Sequence, residues 1–186
     1  ILHRDVKPDN VVVGPDGSAR LIDFGIAKDV FLTALTAPGQ LMGTAEYMAP
    51  EQWGDGPKDA RVDLFALGAT LYHALTGRPP FVGGTLDELM EQATSGEIDP
   101  PRELAPEIPA ELEQIVLHLL EPSPRFRYAR AERVAQDLDR ALRGETPSGP
   151  PALVTDGARF SLVPGRRFLI GTGPRAQVRL AHATVA

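Results

Sequence analysis

Residues 3–10 read HRDVKPDN, and this stretch decides how the rest of the chain is interpreted. An acid, Asp5, stands near its centre, Lys7 follows two positions later, and Asn10 closes the stretch directly before the apolar run VVV. A polar surface loop would explain these residue types. So would a site that handles a proton, a phosphate and a metal together, and the segments further along the chain distinguish the two.

Composition sets the limits of the interpretation. The chain has 186 residues, enough for one well-packed domain with a small second piece, and 42% of them are apolar. The formal net charge is −6, and polyanions attract basic surfaces, so we expect neither a nucleic-acid partner nor general binding to anionic membranes.

Cysteine is absent, which excludes disulfides and thiolate metal sites and fits a reducing, cytoplasmic location. No apolar run approaches the roughly 18 residues that a membrane span needs. The richest one, LFALGATLYHALTG, contains His73 and is typical of a buried helix. We find no signal peptide, and because the chain begins with Ile1 inside a motif we expect it to be a fragment.

Local patterns predict mixed secondary structure. Two apolar runs around Gly-Pro-Asp-Gly in 11–22 predict a hairpin. Apolar residues at helical spacing predict helices over 61–76, 85–94, 110–121 and 130–143, the first ending at Gly77. Because that first helix is apolar nearly all round, we expect it to lie at the centre of the core.

Composition shifts after Arg143. Residues 144–151 are rich in Gly, Pro and Ser, which is typical of a linker. Short β-type runs separated by Pro-Gly and Gly-Pro follow in 152–186. We therefore expect two domains, 1–143 and 152–186, joined by that linker.

Two further blocks give the first stretch its meaning. DFG occupies 23–25, directly after the hairpin, and GTAEYMAPE occupies 43–51. In this order the blocks resemble the C-terminal lobe of a protein kinase over roughly residues 1–143. The resemblance implies an α+β fold: a mostly helical lobe with a short β-hairpin, followed here by a partial β-sandwich. Small-molecule phosphotransferases related to aminoglycoside kinases share the first stretch but normally lack GTAEYMAPE.

The resemblance assigns chemistry to four residues. It implies that Asp5 accepts the proton of the substrate hydroxyl and that Lys7 meets the transferring phosphate. It implies that Asn10 and Asp23 bind Mg²⁺, a hard ion that prefers oxygen ligands, and that ATP is the phosphoryl donor. These roles agree with the physics of phosphoryl transfer, which depends on positioning and on neutralising negative charge.

Substrate class and regulation also follow from the resemblance. The Lys-Pro pair after Asp5, and Thr44 placed to contact Asp5 and Lys7, resemble serine/threonine kinases rather than tyrosine kinases. Arg4 resembles the arginine that binds a phosphate on the activation loop, and Thr33 and Thr36 are the candidate phosphorylation sites.

Other residues resemble architectural positions. Glu51 is expected to form an ion pair with Arg125, since buried ion pairs fix geometry. Asp63, at the start of an apolar helix, resembles the aspartate that holds backbone N–H groups of the catalytic loop. A carboxylate there is costly unless satisfied, so we expect a structural role. The set assigned to structure is His3, Phe24, Gly25, Glu51, Asp63 and Arg125.

The tail resembles the first strands of a forkhead-associated domain, a β-sandwich that reads phosphothreonine. Such domains usually carry Gly-Arg where this chain has Gly171 and Thr172. A complete tail of this kind implies phosphothreonine peptides as partners, in addition to the protein substrates of the kinase.

The combined interpretation is the lower lobe of a bacterial-type serine/threonine kinase. The Gly-rich phosphate loop and the strand lysine of kinases are not among these residues, so we expect the chain alone to show no measurable kinase activity and to bind ATP·Mg²⁺ weakly. Two alternatives stay open: a pseudokinase or scaffold, and a phosphothreonine-binding module with a non-functional kinase remnant. Intact Asp5, Lys7, Asn10 and Asp23 argue against the first.

Overall fold

The chain forms two compact units, 1–147 and 148–186, and the boundary falls within the segment predicted as a linker. Our computed structural model describes, in the first unit, residues 2–23, 43–54 and 58–147, and in the second the strands at 152–155, 158–161, 170–171 and 178–179.

The first unit begins with the predicted hairpin. Strands β1 (Val11–Val13) and β2 (Ala19–Leu21) pair antiparallel. Gly17, with a φ of 78°, supplies the left-handed backbone of the connecting turn, where most L-residues would be strained. The chain leaves the loop 3–10 along β1, and β2 brings it back to the C-terminal end of the same loop.

Helices make up most of the rest of this unit. Their bounds are α1 (Arg61–Thr76), α2 (Leu86–Ser95), α3 (Pro101–Leu104), α4 (Ala110–Leu119) and α5 (Ala131–Leu142), with 3-10 turns at Pro8–Asn10, Pro50–Gln52 and Pro124–Phe126. The four predicted helices agree with α1, α2, α4 and α5 to within two residues at each end. Sequence reasoning missed α3, because four residues are too few to show a helical period.

The helix α1 lies at the centre of the core, as its composition predicts. Phe65, Ala69 and Tyr72 are almost completely buried, and the Phe65 ring lies parallel to the Phe81 ring at 5.8 Å. Gly77 ends the helix with a φ of 78° and donates its N–H to the His73 carbonyl. These contacts confirm the mostly helical lobe with one short hairpin that the sequence predicts.

The second unit contains short strands. In it β3 (Ala152–Thr155) pairs antiparallel with β4 (Ala158–Ser161), and β5 (Ile170–Gly171) pairs parallel with β6 (Val178–Arg179). The β character of the tail agrees with its sequence pattern, and the β-sandwich remains a prediction.

Within the residues that the structure describes, no helix is both long enough and apolar enough to cross a lipid bilayer.

Close packing of α1 against α4 gives the first testable prediction. A Cβ atom added at Gly68 would lie 2.7 Å from the Leu119 Cβ atom, inside van der Waals contact. Although alanine normally favours a helix over glycine, we expect Gly68→Ala to lower the free energy of unfolding by about 1–3 kcal/mol through overpacking.

Urea denaturation of the chain measures this change. Gly54→Ala is the control, since a Cβ atom there meets no atom of the described residues within 4 Å, and it should shift stability by no more than about 0.5 kcal/mol. A Gly68→Ala variant as stable as the parent would show that the two helices separate at no cost.

Candidate active site

The loop 3–10 is fixed to the core helix by one carboxylate. The backbone N–H groups of His3 and Arg4 donate to the two oxygens of Asp63, at 2.8 and 2.7 Å. Asp63 lies in the first turn of α1, some sixty positions away in sequence. The contact predicted for Asp63 is thus confirmed.

Arg4 needs this anchor because its φ of 64° places a non-glycine residue in the left-handed region. Such a conformation costs on the order of 1–3 kcal/mol and persists only where surrounding contacts impose it. His3, beside it, is buried. The loop therefore has a defined shape before any ligand arrives.

Three polar side chains converge on the outer side of this loop. The Lys7 ammonium donates to the Thr44 hydroxyl at 3.1 Å and lies 3.7 Å from a carboxylate oxygen of Asp5. Only 19% of the Lys7 side chain and 13% of the Asp5 side chain are exposed, so solvent screens this pair less than a surface pair. The predicted contact between Thr44 and Lys7 is confirmed.

The helical turn at 43–47 presents Thr44 to the loop. The Tyr47 backbone N–H donates to the Thr44 carbonyl at 3.1 Å, and the Tyr47 ring is buried. A cleft beside the loop is lined by Arg4, Asp5, Thr44, Tyr47 and Asp63. The cleft thus brings together residues, such as Asp5 and Asp63, that are about 60 positions apart in the sequence.

Asn10 and Asp23 lie at the same end of the hairpin. The buried Asn10 side chain donates its amide N–H to the Asp5 carbonyl at 2.8 Å. The Ile22 N–H donates to the Asn10 carbonyl at 2.9 Å, which places Asp23 one residue beyond the pairing. Asp23 is exposed and has a φ of 56°.

This donor set fits a magnesium ion. Because the Asn10 amide nitrogen is engaged by the loop, its amide oxygen is the atom that can act as a ligand, and Asp23 adds a carboxylate. Magnesium prefers such hard oxygen ligands and takes one or two carboxylates together with phosphate oxygens. Within the described residues, no group of three or more His, Cys, Asp and Glu side chains could hold a metal.

The ion pair predicted for Glu51 has a different partner. Arg127, not Arg125, donates to both Glu51 oxygens at 2.7 Å. The Arg127 guanidinium also donates to three backbone carbonyls, those of Arg61, Glu121 and Pro122. Five hydrogen bonds thereby satisfy a buried cation.

The prediction that Arg125 pairs with Glu51 was wrong because a 3-10 turn changes which arginine faces the core. It lies within the turn Pro124–Phe126 and is exposed, with its guanidinium 5.8 Å from the centre of the Phe126 ring. Arg127 follows that turn in extended backbone and points into the core. The two arginines are only two positions apart in the sequence. The short turn shows no periodic pattern that would indicate which of them is buried.

A hydrogen bond of His73 was also missed. Its Nδ1 atom lies 2.6 Å from the Tyr47 hydroxyl, and the two rings are nearly parallel. Burial raises the pKa of Tyr47 to about 12, and the charges of Glu46 and Asp9 add to the effect. The hydroxyl therefore keeps its proton, and the tautomer of the imidazole sets which of the two groups is the hydrogen-bond donor. In the sequence, this histidine stands out only as part of the apolar run that is typical of a buried helix.

Four predicted residues lie outside the described part of the chain: Phe24, Gly25, Thr33 and Thr36.

Comparisons with known proteins agree with this geometry. The family model described as protein kinase domain matches residues 1–138. Serine/threonine-protein kinase PknB of Mycolicibacterium smegmatis is 36% identical over 165 residues, which are 88% of this chain and 26% of that protein. PknB of Mycobacterium leprae is 37% identical over 164 residues, with the same coverage.

A third relative is the probable serine/threonine-protein kinase SCO3848 of Streptomyces coelicolor. It is 39% identical over 148 residues, which are 78% of this chain and 22% of that protein. The chain thus spans about a quarter of the length of the curated relatives it matches.

The ion pair gives a prediction that separates the two arginines. We expect Arg127→Met to lower the free energy of unfolding by about 3–5 kcal/mol, because it leaves the Glu51 carboxylate without its buried partner. Arg125→Met removes an exposed cation and should change stability by about 0.5 kcal/mol or less. Urea denaturation compares the variants, and equal losses would contradict the pairing.

The Asp63 anchor gives another prediction. Asn offers one oxygen where the carboxylate offers two, so Asp63→Asn leaves a backbone N–H of His3 or Arg4 facing an NH₂ group. We expect a loss of about 3 kcal/mol in the free energy of unfolding. Asp59→Asn, at an exposed ion pair with Arg61, is the control and should cost about 1 kcal/mol or less. A smaller loss for Asp63→Asn than for the control would contradict the anchor.

Proposed function

Because the chain belongs to the protein kinase domain family, we propose that it forms the catalytic-loop lobe of a bacterial-type serine/threonine protein kinase. The reaction is transfer of the γ-phosphoryl group of ATP to a serine or threonine hydroxyl of a protein substrate. The observation that carries this proposal is the position of the Lys7 ammonium between Asp5 and Thr44. Relatives named as serine/threonine-protein kinases support it.

Asp5 is the proposed acceptor of the substrate proton. Its carboxylate lies on a loop whose shape is set by the Asp63 anchor and by the Asn10 amide, which binds the Asp5 carbonyl. A base held in this way meets a hydroxyl without first reorganising, and a positioned general base typically contributes 10²- to 10⁴-fold in rate.

Lys7 is the proposed contact to the transferring phosphoryl group. The hydrogen bond from its ammonium to the Thr44 hydroxyl fixes the position of the ammonium, so the positive charge is in place before phosphate arrives. Preorganised charge of this kind stabilises the transition state at no cost of reorganisation. The same contact favours a serine/threonine enzyme, since the resemblance places both Lys7 and Thr44 in that class.

Asn10 and Asp23 are the proposed ligands of Mg²⁺. When bound with ATP, the ion would neutralise phosphate charge. The chain's own contribution is to hold an amide oxygen and a carboxylate at the same end of the hairpin through the bond between Ile22 and Asn10.

Regulation and architecture complete the proposal. Arg4 is proposed to pair with a phosphate on the activation loop, with Thr33 and Thr36 as the phosphorylation sites. Phe24 and His3 are proposed to pack in the apolar spine of the lobe, next to Gly25.

We also propose the domain assignment. It comprises a kinase lobe at 1–143, a linker at 144–151 and a forkhead-associated-like segment at 152–186 that binds phosphothreonine peptides when complete. The 186 residues alone are proposed to be inactive, because they include no Gly-rich phosphate loop and no strand lysine.

A phosphoryl-transfer assay tests the proposal, using the protein encoded by the longest open reading frame that contains this chain. The purified product is incubated with radiolabelled ATP, Mg²⁺ and a general protein substrate, and the labelled amino acids are identified. We expect phosphoserine and phosphothreonine. Binding of ATP·Mg²⁺ without transfer would favour the scaffold alternative, and phosphotyrosine would contradict the substrate class.

A substitution in the same assay tests the role of Asp5. We expect Asp5→Asn to lower kcat by about 10²- to 10⁴-fold with little change in the KM for ATP, because the amide cannot accept the hydroxyl proton. Asp9→Asn removes an exposed carboxylate from the same loop and should leave kcat within about twofold. If both variants kept the parent's kcat, Asp5 would not be the base.

A further inference from the structure

Gln52 is the last residue of the 3-10 turn Pro50–Gln52, and it lines the cleft beside the loop 3–10. Its side-chain oxygen accepts the backbone N–H of Ala49 at 2.9 Å, and its own backbone N–H donates to the Ala49 carbonyl at 2.9 Å. These two bonds fix the side chain. Because the amide oxygen is engaged, the amide nitrogen is the group that remains for a further contact.

The amide nitrogen of Gln52 carries two N–H donors. Among the residues that the structure describes, none accepts a hydrogen bond from either of them. Gln52 is partly buried. Donors that are withdrawn from bulk water and left unused cost free energy, so a polar partner in the cleft would stabilise the protein.

Asp63, which lines the same cleft, has unused capacity to accept hydrogen bonds. One of its oxygens takes the N–H of His3 and the other takes the N–H of Arg4. An ionised carboxylate offers about four acceptor positions. Within the described part of the chain no third donor reaches it. The cleft therefore has unused donors on one residue and unused acceptor positions on another.

The cleft has the size of one water molecule. Its free space is about 10 Å³, and a bound water needs roughly 10–15 Å³ together with two to four polar partners. Arg4, Asp5 and Thr44 add further polar groups to the lining. A water can accept from an amide and donate to a carboxylate at the same time, so it would satisfy both groups.

We propose that one water molecule bridges the Gln52 amide nitrogen and the Asp63 carboxylate, and that Gln52 is thereby a positioning residue for the loop 3–10. The bridge holds the carboxylate in the orientation in which it accepts the two backbone N–H groups. It thus keeps the left-handed backbone of Arg4 in place, and with it the segment that carries Asp5. The effect on the reaction rests on the proposed function, whereas the bridge itself does not.

Gln52→Glu separates the bridge from the cap of the 3-10 turn. Glutamate keeps a side-chain oxygen for the Ala49 N–H, and this capping position accepts Glu as well as Gln. It has no N–H donor, however, and it places a second carboxylate on the cleft with Asp63. Gln136→Glu is the matched control, because that exposed side chain also uses its oxygen as an acceptor, for the Arg133 guanidinium at 3.1 Å.

Amide hydrogen exchange of the 186-residue chain, followed by nuclear magnetic resonance, tests the positioning without any activity. In Gln52→Glu we expect the His3 and Arg4 amide protons to exchange about tenfold faster, which corresponds to the loss of one hydrogen bond. The Ala49 amide keeps its acceptor and should stay within about threefold, as should all three amides in Gln136→Glu. Unchanged rates for His3 and Arg4, or equal acceleration of all three amides, would overturn the positioning.

A crystal structure of the unsubstituted chain tests the bridge directly and requires no variant to fold. We expect one ordered water within about 3.2 Å of both the Gln52 amide nitrogen and an Asp63 carboxylate oxygen. The bond from the Ala49 N–H identifies the amide oxygen, so the nitrogen is assigned by its neighbour. A dry cleft, or a direct bond between the two side chains, would contradict the bridge.

Kinetics of the protein encoded by the longest open reading frame test the effect on the reaction. We expect Gln52→Glu to lower kcat by about three- to tenfold with little change in the KM for ATP, because Asp5 is less well positioned. Gln136→Glu should stay within about twofold. A kcat for Gln52→Glu equal to that of the parent would contradict the role in the reaction. If the parent itself transferred no phosphoryl group, the proposed function would be wrong, and hydrogen exchange would still decide the positioning.

Discussion

Two hydrogen bonds from the backbone of His3 and Arg4 to the Asp63 carboxylate fix the position of the loop 3–10. The left-handed backbone of Arg4 is unfavourable on its own, and charge-assisted bonds of this kind offset that cost. Without them the loop would relax, and Asp5 and Lys7 would lose their common orientation. A single carboxylate on a buried helix thus converts a flexible polar segment into a preorganised one.

The helix α1 carries several contacts, and eight of its sixteen residues are buried. Asp63 holds the loop from the first turn of the helix, the Arg61 carbonyl accepts from the Arg127 guanidinium, and His73 forms a hydrogen bond with Tyr47 near the C-terminal end. Because its Phe65 and Tyr72 side chains are buried in a close-packed core, the helix is held firmly in place. The segments attached to it therefore keep their mutual distances, although they come from separate parts of the sequence.

Local signals in the sequence predicted local structure well. The hairpin and the central helix with its end at Gly77 follow from turn residues and periodicity. The Asp63 anchor follows from the resemblance together with the cost of an unsatisfied carboxylate. Contacts set by tertiary packing were harder. Arg127 replaced Arg125 because a 3-10 turn changes which arginine faces inward. The bond between His73 and Tyr47 joins residues 26 positions apart, and no periodic pattern predicts it.

The distances around Lys7 explain how its charge can serve a phosphate. Its ammonium is 3.7 Å from the Asp5 carboxylate, too far for a strong hydrogen bond, and it donates instead to the neutral Thr44 hydroxyl. A close ion pair would neutralise both groups and would have to break during the reaction. Because a neutral hydroxyl fixes the ammonium, its positive charge stays available for the proposed contact with a phosphoryl group. Anything that keeps Thr44 in place, including the turn that ends at Tyr47, therefore maintains the electrostatic potential of the site.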